Sequence, residues 1–234
     1  MVRIDDDDGD LRVVTLDRPE RRNALTPAAL SDLADAVADT DAPVVYLRGA
    51  GEAFCAGADL SVVAELADDG DVESFVRRGR ATADAIASAS SVVVAGVDGP
   101  ARGGGVELAL ACDLRVATPA ATFAEPGVEF GLFGAWGGTA RLPEVVGLGD
   151  ALDLSLSGRV LDAEAAHRIG LVSRVVDCPG AVARALTNND ALAMERLKRR
   201  LRDRRPPGAQ ADAEVAAFEA LVAAHADGLR EFDE

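Results

Sequence analysis

Two glycine-bearing runs, Phe54-Cys55-Ala56-Gly57-Ala58-Asp59-Leu60 and Arg102-Gly103-Gly104-Gly105-Val106-Glu107, are the residues best suited to stabilise a negative charge. Each supplies backbone N–H groups with little side chain in front of them. The second run lies between an apolar strand-like stretch, Val92 to Val97, and an apolar helix-like one, Leu108 to Ala111. Its free donors therefore sit where a helix dipole is positive, a position at which an oxyanion can rest. Glycine suits that position because a side chain would keep a carbonyl away from the peptide plane, and because the turn can require φ > 0. Taken alone, the three glycines fit equally well a tight strand-to-helix turn packed on a neighbour. The other donor run is what favours an anion site.

The elements that must bring these runs together follow an alternating rhythm. Leu11 to Leu16 alternates as a strand does, and Thr26 can cap a helix from Pro27 to about Ala38 with Leu30, Leu33 and Val37 on one face. Val44–Leu47 and Val92–Val97 read as strands around the first donor loop and a helix of about Val72–Ala87. A helix of about Gly104–Cys112 and strands Leu114–Ala117 and Thr122–Ala124 continue the pattern. Such a βαβ rhythm implies a mainly parallel sheet with crossover helices. Beyond Gly131 the pattern is helical: Leu142–Leu156, Ala163–Ile169, a brief strand Val172–Val176, then a helix-rich tail broken at Pro206-Pro207-Gly208. The expected division is a core of residues 1–180 and a helical region of residues 181–234.

A chain of 234 residues with 49% hydrophobic content can bury a substantial core without disulfides. Its three cysteines lack metal-ligand spacing and read as small buried hydrophobes. We expect no metal, no membrane span and no targeting segment, hence a cytoplasmic location. The net charge of −16 argues against nucleic acid and anionic lipid as partners. Of the 24 basic residues only Lys198 is a lysine. A surface of carboxylates nearly devoid of lysine is the expected composition of a protein from a salt-loving source, where screening removes self-repulsion. The acidic run Asp5 to Asp8 reads as a solvated, frayed terminus.

Four blocks in order resemble the enoyl-CoA hydratase/isomerase, or crotonase, family. They are Leu16-Asp17-Arg18-Pro19 with Asn23-Ala24-Leu25, then Phe54 to Leu60, then Asp98 to Leu108 with Cys112-Asp113, and Gly137 to Pro143. The resemblance implies an α/β crotonase (ClpP-like) fold of stacked ββα units, with a C-terminal helical region used for homotrimer or dimer-of-trimers assembly. It also implies an acyl-CoA thioester as ligand, with coenzyme A entering as part of the substrate and no separate cofactor. The thioester oxygen would be held by the N–H groups of Ala58 and Gly104, and loss of one such donor typically costs about 3 kcal/mol of transition-state stabilisation. Glu107 matches a family acid/base; the competing reading is a glutamate that only complements the helix start. Arg21, Arg22, Ala24, Ala56, Asp59 and Leu60 fall at positions expected to meet the CoA. For Arg21 and Arg22 a plain surface role is the alternative, and for Asp59 a role in capping the turn.

The sequence also departs from the family's pattern. A second family glutamate falls at Gly127, and a family proline falls at Gly134. Because water addition across a double bond normally uses two carboxylates, ordinary hydration is in doubt and a double-bond shift is favoured. A non-catalytic acyl-CoA binder is the alternative. Glu125 and Glu129 flank Gly127 and would share its bare face if the segment were extended. The C-terminal region looks shortened around Cys178 to Asn188 and lacks the family's basic tail. His167 and His225 have no nucleophile at useful spacing and read as structural.

Overall fold

The computed structural model describes residues 1–7 and 9–230. The N-terminal half comprises β1 (Val2–Asp7), β2 (Leu11–Leu16), α1 (Pro27–Ala38), β3 (Val44–Gly49), α2 (Leu60–Asp69), α3 (Val72–Ser88) and β4 (Val92–Val97). After it come β5 (Pro100–Arg102), α4 (Gly104–Ala111), β6 (Leu114–Ala117), β7 (Thr122–Ala124), α5 (Gly138–Val146) and α6 (Leu148–Ser157). Then β8 (Leu161–Asp162), α7 (Ala163–Arg168) and β9 (Arg174–Val175) lead to the terminal helices α8 (Pro179–Leu186), α9 (Ala191–Leu201), α10 (Pro207–Ala224) and α11 (Ala226–Arg230). One sheet has the order β1-β2-β3-β4-β6-β9, parallel except for β1 against β2; a small second sheet runs β5-β7-β8. Every residue of the central strand β4 is buried, as expected of a parallel strand covered on both faces.

Local chemistry accounts for most of these elements. In α1, Thr26 accepts from the Ala29 N–H, Pro27 occupies the first turn, and Ala29, Leu30, Leu33, Ala36 and Val37 form the buried stripe. Both donor runs hang from strand ends, one after β3 and one after β5. The second opens α4, all eight residues of which are buried.

Several expectations are corrected. Asp5 and Asp6 belong to a paired edge strand, where Arg12 grips Asp6 at 2.8 and 3.1 Å. Charged side chains on such a strand deter pairing with other chains. Asp8 lies outside the described residues. Helix α2 went unread; Asp59 caps it and Gly70 ends it at φ 75°. The single helix expected over Leu142–Leu156 is two, parted at Gly147 with φ 81°. The break expected at Pro206-Pro207-Gly208 is present: α9 ends at Leu201, and Pro207 stands in the first turn of α10.

Residue 180 falls inside α8, which lays Ala183 against Tyr46, Val92 and Val94 on one face of the large sheet. The stretch from Cys178 to Asn188 thus still carries a helix. Helix α9 is tied to the core through Asp113, which takes Lys198 at 2.7 Å, Arg202 at 2.9 Å and the Val93 N–H at 2.8 Å. Among the described residues no helix is long and apolar enough to cross a membrane.

Candidate active site

Asn23 fixes the first donor run. It is buried with φ 57°, and its side-chain amide donates to the carbonyls of Ala50 and Ala53 at 2.9 and 2.8 Å. Its Oδ1 accepts from the Arg18 N–H at 2.9 Å. The chain beyond is then laced on both edges: Leu25 N–H donates to Gly57 O at 2.8 Å, Asp59 N–H to Leu25 O at 3.0 Å, and Arg102 N–H to Cys55 O at 2.9 Å. Residue 58 thereby pairs with residue 25 as in a parallel ladder. In such a pairing the carbonyl of 57 and the N–H of 59 face the partner, so the N–H of Ala58 itself faces the other way.

That other side is where Gly104 lies. Gly57 adopts φ 84°, and a Cβ on it would stand 2.7 Å from Arg102 O and 2.9 Å from Gly104 N, so the two runs are in direct contact. Gly104 is the first residue of α4, where N–H groups have no acceptor within the helix. The glycines have packing reasons too: a Cβ on Gly104 would come within 2.3 Å of the Trp136 ring, and one on Gly105 within 2.3 Å of Cys55 O. Packing on a neighbour and open donors are here properties of the same turn.

Ala58 and Gly104 both line a cavity of about 410 Å³ that also takes in Ala56, Leu60, Arg102, Glu107, Glu125 and Trp136. Its walls are mostly apolar, with Phe75 meeting Trp136 edge to face at 5.6 Å. Trp136 went unread as a site residue. It is the chain's one tryptophan, and the signal was its place inside the Gly134-Ala135-Trp136-Gly137-Gly138 run. Arg102 also lines this cavity, with its guanidinium held by Thr122 O and Oγ1 at 2.9 Å each.

Glu107 follows Gly104 by three residues and is 1% exposed. Its Oε1 accepts from the Trp136 N–H at 2.8 Å and the Gly138 N–H at 2.7 Å. Burial pushes its carboxyl above the usual range, while the two amides and the more distant Arg141 and Arg80 pull it back. Glycine at 134 is a steric consequence, since a Cβ there would lie 2.7 Å from Glu107 Cδ. A side chain there would require the Glu107 carboxyl or the loop to shift.

The segment around Gly127 is not extended. Pro126–Phe130 forms a 3-10 turn, so Glu125 and Glu129 do not share a face. Glu129 is exposed and lies against Gly158 of the α6 end, outside the cavity. Glu125 is 8% exposed, and with Glu107 it lines both the main cavity and a side pocket of about 60 Å³. Its Oε1 has no hydrogen-bond partner, and burial, then the charge of Glu107, push its carboxyl up to about 9.

Of the residues expected to meet CoA, Ala56 and Leu60 line the cavity, whereas Arg21, Arg22, Ala24 and Asp59 do not. Asp59 binds Arg18 at 2.8 Å and Arg21 at 3.3 Å and caps α2 through the Ser61 N–H. Ser61 and these arginines hold its carboxyl down to about 2 despite burial. Arg22 is exposed with φ 51°. A wider groove of about 810 Å³ runs under α9, yet its acids are engaged, Asp113 by Lys198 and Arg202 and Glu144 by Arg204 at 2.6 Å.

Comparison with known proteins identifies the family. The family model for enoyl-CoA hydratase/isomerase matches residues 7–233. A crotonyl-CoA hydratase of Syntrophomonas wolfei is 40% identical over 171 residues, 71% of this chain and 65% of that one. The echA8 protein of Mycobacterium bovis is 38% identical over 168 residues, 70% of this chain. The match spans 64% of the length of echA8, just under two thirds. An enoyl-CoA hydratase structure from Bacillus anthracis superposes with a TM-score of 0.91 at 29% identity, covering 99% of this chain and 95% of that one. A Thermobifida fusca protein solved with acetoacetyl-CoA superposes with a TM-score of 0.84 at 28% identity, covering 95% of this chain and 94% of that one. The stacked ββα architecture, the ordered blocks and a match over nearly the whole length lead to one conclusion: the chain belongs to the enoyl-CoA hydratase/isomerase family.

Proposed function

We propose that this protein processes acyl-CoA thioesters by enolate chemistry, the Ala58 and Gly104 N–H groups holding the thioester oxygen and Glu107 carrying the proton. The observation that supports the reading is one apolar cavity onto which both donor runs and a buried acid open. Negative charge grows on the thioester oxygen as the enolate forms, so two fixed amides stabilise the transition state more than the bound substrate. Apolar walls keep water from weakening that interaction. Glu107 is placed for proton transfer because burial raises its carboxyl above the usual range while two amides fix it at one oxygen.

Coenzyme A enters as part of the substrate and no other cofactor is needed. Ala56 and Leu60 line the acyl end of its site, and Arg21, Arg22, Ala24 and Asp59 form the adjoining strip on which the arginines meet CoA phosphates. Residues 181–234 serve assembly as a homotrimer or a dimer of trimers, and the protein works in the cytoplasm. The second reading, a binder without turnover, draws on Gly127. Titration with crotonyl-CoA beside hydration and isomerisation assays separates the two: turnover supports the enzyme, tight binding without any turnover the binder.

The acidic, lysine-poor surface fits a salt-loving source. Unfolding followed across a salt series is expected to give rising midpoints up to molar salt. Full stability in dilute buffer would count against that origin.

A further inference from the structure

We propose that Glu125 is a second proton-transfer residue of this site, supplying from two positions upstream the carboxyl that Gly127 lacks, with Glu107 as the charged member of the pair. The inference rests on the acyl-CoA reading above. It stands on three observations. Glu125 and Glu107 line the same side pocket, about 60 Å³ and large enough for water, and both also face the main cavity where the two donor runs open. Glu125 is over nine-tenths buried, and its Oε1 has no partner, which is costly for a purely structural acid. Position 127 itself is closed, since a Cβ there would lie 2.9 Å from Leu132 O and 3.0 Å from Phe133 Cα.

The hydrogen bonds divide the labour. Two neighbouring carboxyls in an apolar site do not both ionise. Glu107 has two amide donors that favour its anion, whereas Glu125 has none on Oε1, so the shared proton resides on Glu125. Hydration of a 2-enoyl thioester then balances. Glu107 takes a proton from a water in the side pocket as the water oxygen bonds to C3. The C2=C3 electron pair moves into the enolate held by the amides. Glu125 gives its proton to C2 as the enolate collapses. Transfer of the proton from Glu107 to Glu125 restores the starting state, and one water has been added.

The charged group acting on Glu125 is Glu107 from α4; Arg102 from β5 lines the same cavity with its guanidinium bound to Thr122, and Arg141 and Arg80 act on Glu107. An acid of this kind works only while protonated, so kcat should fall as pH rises through about 9. The test compares the protein with Glu125→Gln, which keeps size and neutrality, in crotonyl-CoA hydration across pH, with thermal unfolding to verify the fold. The expected result is a kcat lowered about 100-fold or more with KM altered under about threefold, and loss of the alkaline limb. Infrared spectra at pH 7 should display a protonated-carboxyl band that vanishes in the variant. Hydration within about threefold of the unaltered protein overturns the role of Glu125 and leaves the acyl-CoA reading intact. Unaltered protein that binds crotonyl-CoA but turns over neither hydration nor isomerisation substrates overturns both.

Discussion

Replacing Glu107 by Gln is expected to lower kcat on acyl-CoA substrates by about 10² to 10⁴ while leaving the fold and the affinity for the thioester nearly unchanged. The separation follows from how the side chain is held. Glutamine can present the same Oε1 to the N–H groups of Trp136 and Gly138, so the loop before α5 keeps its anchor. Only the ability to accept and return a proton is removed. Titration with crotonyl-CoA, kcat and thermal unfolding measured on one preparation check the split, and activity that survives the substitution defeats the assignment.

A pH effect accompanies it. Both Glu107 and Glu125 have folded-state values above the ordinary one of 4.5, so the folded chain binds more protons than the unfolded chain above that pH. The stability they confer when protonated is complete below about 4.5 and is lost as pH rises, for Glu125 up to about 9. Either Gln variant should flatten that decline in a series of unfolding midpoints. Because the charge of Glu107 helps raise Glu125, Glu107→Gln should also move the titration of Glu125 to lower pH.

The parts of the fold legible from residues alone are those with local causes. Thr26 with Pro27 marks the start of α1, and the fully apolar Val92–Val97 marks a covered strand. The strand β1 escaped notice because its aspartates look like a solvated tail, and only pairing with β2 and the grip of Arg12 on Asp6 make it a strand. The candidate site divides in the same way. Ala58 and Gly104 neighbour glycines that signal close approach and Glu107 follows Gly104 by three residues, so their lining one cavity could be anticipated. The choice between Glu125 and Glu129 could not, because it turns on Pro126 initiating a 3-10 turn, which replaces a period of two by one of three. Gly134 likewise reads as a loss until the Glu107 carboxyl is found where its Cβ would be.

Placing a glutamate at position 127 is expected to destabilise the protein by about 1 to 3 kcal/mol and to leave hydration no faster. The segment has closed over that position: Leu132 N–H donates to Gly127 O at 2.8 Å, drawing the following loop inward. A Cβ on residue 127 would meet the Leu132 carbonyl at 2.9 Å and Phe133 Cα at 3.0 Å, and both are backbone atoms that cannot swing aside as a flexible side chain can. Moving them would disturb Phe133 and Gly134, which wall the pocket of Glu107 and Glu125. The variant would also bring a third carboxyl toward two whose values are already raised, so burial would keep it neutral or expel it. Gly127→Glu and the double change Gly127→Glu with Glu125→Gln, compared by denaturant unfolding and crotonyl-CoA hydration, check the argument. If Glu125 has taken over the second carboxyl's work, the double variant stays as slow as Glu125→Gln alone; recovery of rate in the double variant would mean the loop yields and position 127 remains open to the substrate.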